Sequence, residues 1–277
     1  MVAKDQHIVP RGYLKNFSDS KNKVWAYHFV QGKVIKKSVK KICCHNYAYE
    51  VSKSDIDNIL ENYLADCEKI SIPLIDKLIK NKIINEKILD ENELKNLFKF
   101  VFLQLWRTES GRILFYSIHE KLNNDFVKAR EHMTLDEIRK NEDIINKSNI
   151  WARDNLNDFD KYIQCIWDVF NSEIRFGLYI SDYPILMTSD NPVIVKVLPD
   201  CKAPSMMIMK MALNPYLLLS IEICFFDFVQ NTFFNINLSK EGAKTYNEQL
   251  FINSNYWIIS SEECYSNFNK LIQENNE

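Results

Sequence analysis

The spacing of apolar positions changes twice along this chain, and the three resulting textures outline its plan. Two β-prone runs, residues 24–30 and 33–39, flank Gln31-Gly32, which is a hairpin signature. From residue 54 to 173 the apolar period lengthens to three and four. Ile56, Ile59, Leu60, Tyr63, Leu64 and Cys67 share one helical face; Leu94, Leu97, Phe98, Val101, Phe102 and Leu105 share another. Ser54 with Asp57, and Thr134 with Glu137, read as capping boxes, and Asp90 as a cap. Pro73 restarts or bends the first helix. The second continues past Arg107 with a kink at Gly111, and residues 151–173 form a further amphipathic helix. Beyond residue 173 short runs return: strands at 174–180, 185–188, 193–197, 206–213 and 216–226, a helix over 239–253, a strand over 256–260 and a terminal helix. The pattern predicts an α+β fold, with an N-terminal β-hairpin, a central helical block, and a C-terminal, mostly antiparallel sheet with closing helices. No linker interrupts it, so residues 1–277 read as a single domain in three segments, 1–53, 54–173 and 174–277.

The first residues do not look like a frayed terminus. Gln6-His7-Ile8-Val9-Pro10-Arg11-Gly12-Tyr13-Leu14-Lys15-Asn16-Phe17 is dense in apolar anchors, whereas chain ends are usually polar and loose. Pro10 suits the start of a helix that places Tyr13, Leu14 and Phe17 on one face. The segment is expected to pack against the helix bearing Arg107, with His7 at the mouth of the short helix.

Composition adds limits. Of 277 residues 46% are hydrophobic and 26% charged, enough for a sizeable core and unlike a disordered chain. The most apolar stretch, 206–226, is interrupted by Lys210, Asn214, Pro215 and Glu222, which excludes a membrane span. Seven cysteines without a CxxC, and a start lacking the apolar core of a signal peptide, point to free thiols in a reducing cytoplasm. Net charge is −2, yet residues 1–50 hold ten Lys/Arg against three Asp/Glu. Lys33, Lys36, Lys37, Lys40 and Lys41 either meet a phosphate-rich partner or guard the edge of a sheet.

Four constellations can hold chemistry. His7 has an ordinary pKa near neutrality, suited to general acid–base work. Asp57, Glu61 and Glu68 form an acidic stripe on one helix, and Glu61 and Glu68 are candidate ligands of a divalent metal such as Mg²⁺. Gln104 and Arg107 lie one turn apart on an apolar helix, and a buried arginine requires an anion, either Glu61 or Glu68 or a ligand phosphate. Thr188-Ser189-Asp190-Asn191-Pro192 is a turn at a strand end, with Asp190 expected to face His7 or Arg107. P-loop, GxGxxG, GxSxG and HExxH motifs are all missing, and so is an HxE with a later CxxC.

The ordered set Gln6-His7-x-Val9-Pro10-x-x-Tyr13-Leu14-x-x-Phe17, Tyr47-Ala48-Tyr49, Glu61 and Glu68, Gln104-x-x-Arg107-Thr108, Thr188-Ser189-Asp190-Asn191-Pro192, Leu213-Asn214-Pro215 and Asn247 with Tyr256-Trp257-Ile258 resembles a bacterial and phage-associated family, the domain of unknown function numbered 4238. The resemblance supports these residues as a site and leaves the reaction open. The working expectation is a metal-dependent hydrolase or nuclease acting on a phosphate-containing small molecule or nucleic acid. His7, Gln104, Arg107 and Asp190 would be catalytic, Arg11, Ser189 and Asn191 would bind substrate, and Glu61 and Glu68 would hold the metal. The alternative is a non-enzymatic ligand-sensing or protein-interaction module whose buried polar network is structural.

Overall fold

A computed structural model of the chain describes residues 4–51, 56–119, 133–170, 173–200, 203–224 and 232–276. It is an α+β protein, but its sheets cut across the three segments of the sequence. β2 (Lys23–His28) and β3 (Lys33–Ser38) form the expected antiparallel hairpin. Gly32 turns it at φ +58°, a left-handed conformation that costs glycine no steric strain. The hairpin is completed from far along the chain. Strand order in its sheet is β3-β2-β11-β6, where β6 (Thr188–Ser189) and β11 (Trp257–Ser260) come from the C-terminal segment. Of the expected 185–188 strand only Thr188 pairs there, together with the following Ser189.

β3 is an edge strand, and two of its lysines are occupied within the protein. Lys36 bridges Asp19 at 3.0 Å and also Glu262, and Lys37 lies 4.3 Å from the centroid of the Trp257 ring. Lysines on an edge discourage pairing with another chain.

The second sheet has the order β10-β5-β9-β8-β7, from β5 (Ile174–Ile180), β7 (Ile194–Asp200), β8 (Ala203–Asn214), β9 (Leu217–Cys224) and β10 (Phe233–Asn237). All its pairs are antiparallel except β10 on β5. β9 is buried at every position, and apolar residues fill both of its faces apart from Ser220 and Glu222. β10 escaped the pattern because it is mostly exposed and carries no apolar period.

The helical block comprises α2 (Ile59–Asn81), α3 (Glu91–Arg107), α4 (Glu109–His119), α5 (Leu135–Lys140), α6 (Glu142–Asp154) and α7 (Leu156–Phe170). Capping boxes start α3 at Asp90 and α5 at Thr134. Ser54 lies outside the described residues; Asp57 precedes α2 and accepts from the Ile59 N–H at 2.9 Å, so it does not belong to the acidic helix face. α2 runs unbroken through Pro73. The expected 151–173 helix is divided at Asn155 between α6 and α7.

The long helix also ends where the apolar period does not. Thr108 is extended (φ −72°, ψ 153°), and its hydroxyl accepts from the Gly111 N–H at 3.0 Å, capping α4. Gly111 is therefore no kink; it is the point where α4 passes the end of α3. A Cβ there would stand 1.8 Å from the Leu105 carbonyl oxygen. Gly111→Ala is expected to destabilise the protein by about 1–3 kcal/mol through forced backbone displacement, measured by urea unfolding.

α8 (Lys240–Asn253) and α9 (Tyr265–Asn276) close the C-terminal part. One hydrophobic core joins the elements. It includes Ile8, Val9, Tyr13, Leu14 and Phe17, each at most 2% exposed. The segment 8–17 is thus anchored in the core, with Pro10 at the cap of the short helix α1 (Arg11–Leu14). No helix of the described residues is long and apolar enough to cross a membrane.

Candidate active site

β1 (Asp5–His7) pairs with β4 (Cys44–Asn46), placing His7 opposite Cys44 and Gln6 opposite His45. Strand side chains alternate between faces, so this two-stranded ribbon shows His7 and Cys44 on one side, Gln6 and His45 on the other.

Buried polar groups hold the ribbon. Gln6 is fully buried; its amide donates to Glu50 Oε1 at 2.7 Å and accepts from the Tyr49 N–H at 2.9 Å. Gln104, 1% exposed, donates to the Ile8 carbonyl at 2.8 Å. Arg107 has all three guanidinium nitrogens engaged. Nη1 donates to Glu68 Oε1 at 2.6 Å, Nη2 to the His7 carbonyl at 2.6 Å, and Nε to the Tyr49 hydroxyl at 3.1 Å. Burial works against its charge, but Tyr49 and Glu68 hold it protonated above the usual arginine range. Arg107 thus has its carboxylate partner and is packed against the N-terminal segment, as the apolar setting of a cation demanded. It is a clasp for the ribbon, and three of its five N–H groups are given to protein acceptors.

Beside this ion pair two buried titratable atoms have no hydrogen-bond partner: His7 Nε2 and Glu61 Oε2. Each lies in the field of both Arg107 and Glu68. Burial, then the charges of Arg11 and Arg107, push the His7 ring below its ordinary pKa of 6.5, while Glu68 and the Val39 backbone oppose the shift. Burial pushes Glu61 the other way, above the usual carboxylate range, with Glu68 and Glu50 adding to the effect. Arg11 stands at the rim with an exposed side chain.

The other expected site residues are elsewhere. Asp190 does not face His7 or Arg107. Its Oδ1 accepts from the backbone N–H groups of Asn255 (3.2 Å) and Trp257 (3.0 Å), and Oδ2 from that of Tyr256 (3.1 Å). Burial still pushes its carboxyl up to about 6 against these three donors. Ser189 Oγ accepts from the Asn191 N–H at 3.0 Å, and the Asn191 amide donates to the Asn253 carbonyl at 3.1 Å. The turn from 188 to 192 therefore fastens β6 to β11 and α8. Its polar side chains are spent on backbone, which removes Asp190, Ser189 and Asn191 from the catalytic and substrate-binding roles.

The two expected metal ligands have different settings. Glu68 is committed to Arg107, Glu61 stands alone, and no group of three or more His, Cys, Asp or Glu among the described residues is arranged to hold an ion.

The opposite face of the ribbon was not legible as a unit. His45 Nδ1 is 3.4 Å from Glu109 Oε1, and the Tyr256 hydroxyl donates to Glu109 Oε2 at 2.8 Å. Arg112, 1% exposed, donates to the Ala48 carbonyl and to Asn149 Oδ1 (3.1 Å). Tyr49 lies between the two arginines, 5.9 Å from the Arg107 and 5.3 Å from the Arg112 guanidinium carbon. Arg112 sits five residues beyond Arg107 in an apolar context, a signal of the same kind.

Fold and geometry together define an α+β protein whose N-terminal strand is clasped by the buried Arg107, with a second buried arginine, Arg112, holding the segment that follows β4. The chain belongs to the family described as Protein of unknown function (DUF4238), which matches residues 5–263. No curated protein and no solved structure matches it.

Proposed function

We propose that the chain is a hydrolase working by general acid–base catalysis at His7 and Glu61, on a phosphate-containing small molecule or nucleic acid whose anion meets Arg11 at the rim. The observation that carries this reading is the pair of buried, unpartnered atoms, His7 Nε2 and Glu61 Oε2, both in the field of the Arg107–Glu68 ion pair. Their environments shift the two groups in opposite directions, the arrangement that separates a base from an acid at one pH. A neutral imidazole with its proton on Nδ1 presents Nε2 as an acceptor. In the proposed reaction Nε2 takes a proton from water as its oxygen attacks phosphorus. The bond to the leaving oxygen breaks, and the Glu61 carboxyl protonates that oxygen; a proton then passes from His7 to Glu61 through solvent. Arg107 and Glu68 are positioning residues that hold the His7 backbone and the local field.

Turnover is to be measured on single- and double-stranded DNA, RNA, and cyclic and linear nucleotides, with EDTA and with Mg²⁺. The expected result is activity that survives EDTA and falls at least a hundredfold in His7→Ala and Glu61→Gln. Turnover unchanged in both variants, or none on any substrate, overturns the proposal. Stability supplies a second readout. A carboxyl whose folded pKa is raised stabilises the fold below its unfolded pKa and loses that contribution as pH rises through the folded value. Glu61→Gln is therefore expected to be more stable than the parent at pH 7, with the gain vanishing below about pH 4.5, the usual glutamate value. A more stable, inactive variant is the mark of a residue kept for chemistry.

A second reading, a ligand-sensing module, is supported by the commitment of Arg107 to three protein acceptors. Under it the panel gives no turnover and a small molecule shifts the unfolding temperature.

A further inference from the structure

None of the residues lining a cavity of about 560 Å³ belongs to the His7–Glu61 centre; it lies between the β2–β3 turn, α5 and the ends of α8 and α9. Its size is typical of small-molecule sites, which combine apolar walls with a few polar groups that fix orientation. The walls include Phe29 and Phe251, whose rings meet edge to face at 4.9 Å, and Ile252, which is 56% exposed. Asn255 is 6% exposed and lines the cavity, and its side-chain amide has no hydrogen-bond partner among the described residues. Its backbone N–H is held by Asp190, so the amide is borne on a fixed segment.

Opposite charges complete the rim. Arg139 Nη1 and Asp136 Oδ1, on α5, are 3.2 Å apart with side chains 66% and 80% exposed. An exposed pair one turn apart is weak, so a ligand bearing both charges can replace each partner. A simple anion would meet Asp136, and a simple cation Arg139. We infer that the cavity binds a small zwitterion with an apolar side chain, an apolar or aromatic α-amino acid. Its carboxylate would lie on Arg139 and the Asn255 amide, its ammonium on Asp136, and its side chain against Phe29 and Phe251.

The test is calorimetric titration of the full chain with phenylalanine, phenethylamine, which lacks the carboxylate, and N-acetylphenylalanine, which lacks the ammonium. The expected result is saturable binding of phenylalanine, weakened at least tenfold for either analogue and in either Arg139→Ala or Asp136→Asn. Both substitutions are at exposed side chains, and unchanged circular dichroism and unfolding midpoints confirm the fold. Absence of saturable binding, equal binding of either analogue, or unchanged affinity in either variant overturns the inference. None of these outcomes depends on hydrolytic turnover, because His7 and Glu61 are untouched.

Discussion

Replacing Arg107 by alanine is expected to lower the unfolding free energy by about 3–5 kcal/mol, the range for removing one partner of a buried ion pair. The side chain is 4% exposed, and three groups lose their donor at once: Glu68 Oε1, the His7 carbonyl and the Tyr49 hydroxyl. Glu68 keeps some access to water, at 26% exposure, which limits its share of the loss. The His7 carbonyl retains the Tyr49 hydroxyl as a donor at 3.0 Å. Arg107→Lys should recover little, because a single ammonium cannot reach three acceptors in the directions of a planar guanidinium. Equilibrium urea unfolding gives the loss. A change under about 1 kcal/mol would mean that the pair behaves like a surface salt bridge. Because the same residue anchors the His7 backbone, turnover should fall in parallel, without implying contact between Arg107 and substrate.

Much of this site was readable from local chemistry. A cation in an apolar helical face must be paired, and Glu68 on α2 was one of two acids at the right spacing. The apolar density of residues 8–17 required burial, and Tyr13 is fully buried, its hydroxyl donating to the Ala212 carbonyl at 2.6 Å. What the sequence concealed depends on distant pairing. β1 and β4 are three residues each, too short for a period, so nothing in the pattern showed that His7 and His45 lie on opposite faces of one ribbon. The break at Thr108 is invisible in the apolar spacing because α3 and α4 both bury side chains across it; the hydroxyl bond to Gly111 decides it. Asp190 was misassigned for a general reason. A small acidic residue at a strand end can serve a substrate or serve backbone amides, and only the neighbouring strand tells which. Here β11 brings three N–H groups to it.

That role makes Asp190 the second position where a single change should be severe. Asp190→Ala leaves three backbone N–H groups, at Asn255, Tyr256 and Trp257, without an acceptor in a buried setting. At about 1–3 kcal/mol for each unsatisfied donor, with water entering to recover part, the loss is expected at about 3–6 kcal/mol. Asp190→Asn should cost less. With its oxygen in the Oδ1 position it keeps the Asn255 and Trp257 bonds and sets its amide against the Tyr256 N–H alone. The comparison also depends on pH. Burial raises the folded Asp190 pKa from 3.8 to about 6, so the carboxyl contributes most stability below pH 3.8 and loses it as pH climbs to about 6. Asparagine has no such dependence. The advantage of the parent over Asp190→Asn should therefore be largest in acid and shrink through that window, then stay level to pH 8. Unfolding midpoints of both proteins at pH 4.5, 6 and 7.5 test this. An advantage that grows with pH would show that the three N–H bonds outweigh burial and hold the carboxylate ionised throughout.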